Sequence, residues 1–150
     1  MKRIAVFLMA ALMLLGLAGC GRQWVEVPTV QPLVEADVSI QVTGYSKRWS
    51  TVDVVIENNT GNQLNFDSYF TPSLHRMEDG KWMRLEPKYD EYPADLVGMI
   101  ATTGEWKINA KDYVNRLSPG SYRVAFTAKE ARSASGFSPS FTVYDYFEVE

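Results

Sequence analysis

The feature that most constrains the fold is an alternation of apolar and polar residues, broken by turn residues about every ten positions as in antiparallel sheets. A period of two is typical of half-buried strands. Only residues 109–114 suggest a helical turn. The clearest apolar rows are Val38, Ile40 and Val42; Val52, Val54 and Ile56; and Tyr122, Val124 and Phe126. About seven such strands predict an all-β antiparallel sandwich.

Turn residues predict the pairing of two segments. Asp79-Gly80 suits the positive φ angles of a two-residue hairpin, which would place Met77 opposite Trp82. Pro119-Gly120 predicts a tight turn, because Pro fixes φ and Gly accepts a positive angle. Tyr122 would then point inward and bond upstream backbone with its hydroxyl, so Pro119, Gly120 and Tyr122 form a structural corner. The predicted core comprises Val54, Ile56, Trp82, Trp106, Ile108, Tyr122, Val124 and Phe126.

The last predicted strand contains one polar residue in an apolar row. Phe141, Val143, Phe147 and Val149 alternate in phase, and Asp145 shares that phase. A carboxylate there predicts a bulge or a sheet end near Asp145.

Four motifs follow one another in a characteristic order: Ile56-Glu57-Asn58-Asn59-Thr60, Asp79-Gly80-Lys81-Trp82, Gly104-Glu105-Trp106 and Leu117-Ser118-Pro119-Gly120-Ser121-Tyr122-Arg123. In order and spacing they resemble the bacterial immunoglobulin-like domain of small, mostly Gram-positive, lipoproteins. The resemblance covers residues 37–149. It implies an immunoglobulin-like β-sandwich, and it implies no catalytic residue, since members of that family generally have no established activity.

The N-terminus has the pattern of a bacterial lipoprotein signal. Lys2 and Arg3 precede the apolar residues 4–17, and Leu17-Ala18-Gly19 precedes Cys20. The apolar run is too short to span a membrane. The sequence therefore predicts a signal peptide at residues 1–19, a lipid on Cys20, and location at the extracytoplasmic face of the cell membrane. Two lipid chains on one residue give stable anchoring.

The next residues, 20–36, contain two prolines and are predicted to form an extended tether before the sandwich of residues 37–150. Trp24, Val25 and Val27 leave two alternatives open. This stretch either lies at the membrane interface or adds an edge strand to the domain.

Charge and cysteine content exclude some functions. Loss of Lys2 and Arg3 with residues 1–19 leaves 13 of the 15 basic residues against 18 acidic ones, a net charge of −5. This balance predicts no nucleic-acid partner. Cys20 is the only cysteine, and once lipidated it forms neither a disulfide nor a metal bond. The 131 residues that remain suffice for one domain stabilised by packing.

No catalytic pattern stands out. His75 is the only histidine, so a zinc site with several histidines is excluded, and no nucleophile elbow, phosphate loop or dinucleotide motif is present. His75 is expected to be an ordinary surface or half-buried residue. The acidic loop around Asp90 and Glu91 is expected to be a solvated connection. The sequence thus predicts that the protein is not an enzyme and has no cofactor and no metal.

Binding is predicted at the connection between the first two strands. Tyr45, Lys47, Arg48 and Trp49 combine aromatic surface with positive charge, which suits sugars or an anionic envelope polymer. The alternative is structural, with Trp49 covering the end of the sandwich. Further aromatic residues are expected on the outward side of the last strand and in the acidic loop: Tyr144, Tyr146, Tyr89 and Tyr92.

The predicted function is a lipid-anchored, non-enzymatic module that binds or organises an unidentified protein or polymer at the cell envelope. The alternative is an inhibitor of a protease or a lysozyme-like hydrolase, which would insert a protruding loop into an active site. The connections 86–95 and 129–139 are the candidate loops.

Cys20→Ser should prevent lipid attachment and signal processing, because a serine hydroxyl does not form the thioether that carries the lipid. We expect mass spectrometry to find the unprocessed chain without lipid. Mass spectrometry of the mature wild-type protein should find a diacylglyceryl group on Cys20. An unmodified Cys20 in that protein would contradict the prediction.

Overall fold

The computed structural model describes residues 24–27, 37–67, 71–88, 97–132, 136–137 and 139–150. Within these ranges the chain forms eleven strands and one 3-10 turn, which lies at Ala110–Asp112 inside the predicted helical turn. The strands are β1 (Trp24–Glu26), β2 (Val38–Ser46), β3 (Thr51–Asn58), β4 (Leu64–Asp67), β5 (Ser73–Glu78), β6 (Lys81–Leu85), β7 (Val97–Ile100), β8 (Thr103–Asn109), β9 (Gly120–Arg132), β10 (Gly136–Phe137) and β11 (Phe141–Val149). Strands β4 and β10 were not predicted, because such short segments show no clear alternation, and β1 was one of two open alternatives.

The strands form two antiparallel sheets, which confirms the predicted sandwich. The larger sheet has eight strands in the order β1-β6-β5-β9-β4-β7, with β10 and β11 also paired to β9. The smaller sheet has the order β2-β3-β8. Strand β9 is central, since it pairs with β5 and β4 and with β11 and β10.

The predicted bulge at Asp145 is wrong. Strand β11 pairs with β9 without interruption, and the register shift lies instead in β2, between Val42 and Gly44. The Asp145 carboxylate accepts a hydrogen bond of 2.6 Å from the backbone N–H of Val42. The carboxylate is therefore tolerated in an apolar row because it binds the irregular point of the neighbouring strand, where the two sheets meet.

The core lies between the sheets and contains most of the predicted residues. Six of the eight predicted core residues are buried: Val54, Ile56, Ile108, Tyr122, Val124 and Phe126. Trp106 is partly buried and packs on this cluster. Its ring lies directly over Gly104, where a side chain would collide with it.

Trp82 is not a core residue, contrary to the prediction. The Asp79-Gly80 hairpin forms as predicted, with Met77 opposite Trp82 and positive φ at both turn residues. However, Leu85 is the buried residue of β6, so the side chains that alternate in step with Leu85 are the ones that point inward. Trp82 is three positions from Leu85, so it lies on the outer face of the large sheet.

The predicted corner forms at the start of β9. Gly120 has φ of 144°, a value that favours glycine. The Tyr122 hydroxyl donates a hydrogen bond of 2.9 Å to the carbonyl of Ser118. The Arg76 guanidinium donates one of 3.2 Å to the carbonyl of Pro119. These bonds hold the turn against the beginning of the central strand.

The N-terminal stretch contributes an edge strand, one of the two alternatives left open by the sequence. Trp24, Val25 and Glu26 pair with Leu85, Arg84 and Met83 of β6. Residues 24–26 of the predicted tether thus belong to the large sheet. Residues 1–23, which include Cys20, and residues 28–36 lie outside the described part of the chain.

Two tyrosines that pack on Phe147 provide a matched test of the corner. The Tyr122 hydroxyl binds Ser118, whereas that of Tyr45 has no hydrogen-bond partner among the residues described. Tyr122→Phe should cost about 1 kcal/mol of unfolding free energy, and more if the Ser118 carbonyl stays unpaired.

Tyr45→Phe should leave stability unchanged or raise it, because it removes an unpaired buried hydroxyl. Urea denaturation of both variants gives the comparison. Equal unfolding free energies for Tyr122→Phe and wild type would contradict the corner.

Candidate functional site

The turn between β2 and β3 is the first surface of interest, and we call residues 45–49 the tip. Trp49 is 59% exposed, so the structural alternative in which it covers the sandwich does not apply. The Arg48 guanidinium stacks on its ring, 4.9 Å from the centroid. The Lys47 ammonium donates a hydrogen bond of 2.9 Å to the backbone carbonyl of Glu150. The tip thus presents exposed aromatic surface with two cations.

Tyr45 differs from the other three residues of the predicted site. It is half-buried, and its ring lies 6.2 Å from that of Phe147 and packs on the core. Tyr45 therefore supports the tip from below, and Lys47, Arg48 and Trp49 form its exposed part.

A second aromatic surface, the Trp82 stack, covers the outer face of the large sheet. It consists of Trp82, Arg123, Tyr144 and Tyr146. The Arg123 guanidinium lies 4.6 Å from the Trp82 ring centroid and 4.2 Å from that of Tyr144. The rings of Trp82 and Tyr146 are 5.6 Å apart. Tyr146 is 58% exposed, whereas Arg123 is only 3% exposed.

The tip and the Trp82 stack lie at the same end of the sandwich. The tip contacts the end of β11 through Phe147 and Glu150, and the stack contains the preceding residue, Tyr146. Neighbouring residues of a strand point to opposite faces, so Phe147 packs inward while Tyr146 points outward. Together the two surfaces give this end a large share of exposed aromatic area.

The single histidine lies beneath the stack. His75 is 3% exposed, which corrects the expectation of a surface or half-buried residue. Arg123 Nε donates a hydrogen bond of 3.0 Å to His75 Nδ1, so the neutral ring carries its proton on Nε2, which faces Ser73 Oγ at 3.0 Å. Burial, and then the charges of Arg123 and Arg84, lower the pKa of His75 to about 3. The imidazole is thus neutral at physiological pH.

Arg123 itself keeps its charge within this buried position. Burial lowers the pKa of its guanidinium, and Tyr144 and Tyr146 oppose that shift. Arg123 and the outward position of Trp82 were not predicted from the sequence. The sequence does contain a signal for the position of each residue. Arg123 lies between the inward-pointing Tyr122 and Val124, so alternation points it outward. The Asp79-Gly80 turn pairs Trp82 with Met77.

A cavity of about 520 Å³ adjoins the stack on the same outer face. Tyr144 borders it, whereas Arg123 does not. Its lining residues are Val27, Asp67, Thr71, Ser73, His75, Arg84, Ala125, Thr127, Thr142 and Tyr144.

Several predicted features fall outside the described residues. Tyr89, Tyr92, Asp90 and Glu91 are among them, as is most of the candidate inhibitory loop 86–95. Parts of the connection 129–139 are also outside. Among the residues that are described, no group of three or more His, Cys, Asp or Glu side chains is placed to hold a metal ion.

Comparison with known proteins agrees with this architecture. The family model of the bacterial Ig-like domain matches residues 32–138. The chain belongs to the bacterial Ig-like domain family. Searches of curated proteins and of solved structures found no match. Domains of the bacterial Ig-like family are typically non-catalytic. None of the helices in the described ranges has the length and hydropathy needed to cross a membrane.

The buried histidine makes stability depend on pH. Its folded pKa of about 3 lies below the ordinary value of 6.5, so on acidification the unfolded chain binds a proton before the folded protein does. Stability is therefore lost as pH falls below 6.5. Between pH 7 and pH 4.5 this residue should contribute a loss of about 2–3 kcal/mol.

His75→Gln keeps an acceptor for Arg123 but has no titrating ring. We expect urea denaturation to show a smaller loss of stability between these pH values for His75→Gln than for wild type. Equal losses in the two proteins would mean that His75 titrates normally in the folded state.

Proposed function

We propose that this bacterial Ig-like domain is a lipid-anchored, extracytoplasmic, non-enzymatic module that binds a partner at the cell envelope. The lipoprotein signal before Cys20 supports the anchor and the location. The observation that carries binding is the placement of the tip and the Trp82 stack at one end of the sandwich. Trp49 and Tyr146 each leave more than half of their side chains exposed there.

The chemistry of this end suits binding. Aromatic rings and arginines are the residues that contribute most energy at protein interfaces, because they offer large contact area at low entropic cost. Arg123 fixes the rings of Trp82 and Tyr144 before any partner arrives. A fixed surface loses less conformational entropy on binding than a mobile one.

The environment of the only histidine supports a non-enzymatic role. A general base works best with a pKa near the operating pH. The pKa of His75 is lowered to about 3, and its ring nitrogens face Arg123 and Ser73. His75 is therefore a poor general base at neutral pH and acts as a hydrogen-bonded support for Arg123.

Co-sedimentation with envelope fragments tests the binding surface. The double variant Trp49→Ala/Tyr146→Ala should reduce the affinity of the full-length protein at least about thirtyfold, since aromatic anchors typically contribute more than 1 kcal/mol each. Phe137→Ala is the control, because Phe137 is also an exposed aromatic residue, at 60%. It lies on β10, at the opposite end of the sandwich from the tip. Binding should also weaken with salt, since Arg48 and Lys47 are exposed. Equal binding by the double variant and the control would contradict the proposal.

A further inference from the structure

The cavity on the outer face has a simple structural origin. In one row across three strands, Ser73 of β5 pairs with Ala125 of β9, which pairs with Tyr144 of β11. Two short side chains beside a large ring leave a depression with Ala125 at its floor. Its volume of about 520 Å³ is within the range of roughly 300–1,000 Å³ that is usual for small-molecule sites.

We propose that this cavity binds a neutral saccharide unit, which makes a glycan part of the envelope partner of the proposed function. The inference rests on that proposed function. Its support comes from the hydroxyl groups of the lining, from the charge balance, and from the Tyr144 ring.

Hydroxyl groups dominate the polar part of the lining. Thr71, Ser73, Thr127 and Thr142 all line the cavity. The hydroxyls of Thr127 and Thr142 share one hydrogen bond of 2.8 Å, so one of them keeps its own hydrogen for another acceptor. Side-chain hydroxyls both donate and accept, as saccharide hydroxyls do. The lining therefore matches a ligand that carries many hydroxyl groups.

The charges of the lining balance. Arg84 and Asp67 are the charged residues that line the cavity, and they carry opposite charges. Arg84 Nε also donates a hydrogen bond of 2.8 Å to the Glu86 carboxylate. His75, which lines the same cavity, is neutral. Arg84 and Arg123, which binds His75, carry two positive charges, and Asp67 and Glu86 carry two negative ones, so the surrounding charges still sum to zero and favour a neutral ligand.

Tyr144 supplies a flat apolar wall. The Arg123 guanidinium lies over its ring, 4.2 Å from the centroid, and Arg123 is not among the residues that line the cavity. The His75 ring lies edge-on to the Tyr144 ring, 6.4 Å away. The ring is thus held in place, which reduces the entropic cost of stacking the C–H face of a sugar against it.

The floor of the cavity does not suit an extended peptide. Strand addition needs an open sheet edge with unpaired backbone groups. Here β5 lies between β6 and β9, and β9 lies between β5 and β11. Ala125 at the floor is paired on both sides, with Ser73 and with Tyr144, so recognition at the floor must come from side chains.

Calorimetry and saturation-transfer NMR on the full-length protein in a detergent without sugar head groups test this site. The probes are diacetylchitobiose, cellobiose and maltose, with glucuronate as a charged comparison. We expect at least one disaccharide to bind with a millimolar or lower Kd, more tightly than glucuronate. Ala125→Leu, which fills the floor, and Tyr144→Ala, which removes the wall, should each weaken it at least about tenfold. Phe137→Ala should bind like wild type.

Each variant is first compared with wild type by urea denaturation, and if one does not fold, the other decides. Absence of binding by all three disaccharides, tighter binding of glucuronate, or unchanged disaccharide binding in a folded variant would overturn the inference. Envelope co-sedimentation that persists without disaccharide binding would overturn this inference alone. Disaccharide binding without envelope co-sedimentation would overturn the proposed function alone.

Discussion

The register of β9 determines both the core and the outer surface of the large sheet. The Tyr122 hydroxyl, bonded to Ser118, fixes the start of this strand, and four neighbouring strands take their pairing from it. Tyr122, Val124 and Phe126 then point into the core, while Arg123 and Ala125 point outward. A slip of one residue would exchange these two sets. The corner therefore places the stack and the floor of the cavity.

Burying Arg123 has a cost that its contacts offset in part. Transfer of a charge from water costs several kcal/mol even after relaxation. Each contact with an aromatic ring contributes about 2 kcal/mol or more when the cation is desolvated. A hydrogen bond to a charged group contributes about 1.5–3 kcal/mol. Arg123 has two such ring contacts and one bond to His75. The buried Nη2 of Arg123 has no hydrogen-bond partner among the residues described, so part of the cost remains. What the arrangement gains is a fixed orientation for Trp82 and Tyr144 on an exposed sheet face.

The sequence was sufficient for features set by local rules. Alternation and turn chemistry predicted the sandwich, the Asp79-Gly80 register and the Tyr122 corner, because each depends on residues close together in the chain. The sequence did not predict contacts between segments that are far apart in the chain. Asp145 suggested a bulge because its partner, the Val42 N–H, lies 103 positions away. The Trp82 stack joins β6, β9 and β11, so alternation predicted the outward Tyr144 and Tyr146 but not their contacts with Arg123 and Trp82. The exposed tip residues Lys47, Arg48 and Trp49 were predicted, whereas Tyr45 proved to be partly a core residue.

The central claim is that the end of the sandwich with the tip and the Trp82 stack contacts the envelope. Hydroxyl-radical footprinting on intact cells and on the purified protein measures this directly. Trp49, Tyr146 and Phe137 are almost equally exposed, at 59%, 58% and 60%. We predict that oxidation of Trp49 and Tyr146 falls in cells relative to the purified protein, while oxidation of Phe137 does not change. Equal oxidation of Trp49 and Tyr146 in cells and in the purified protein would contradict the claim.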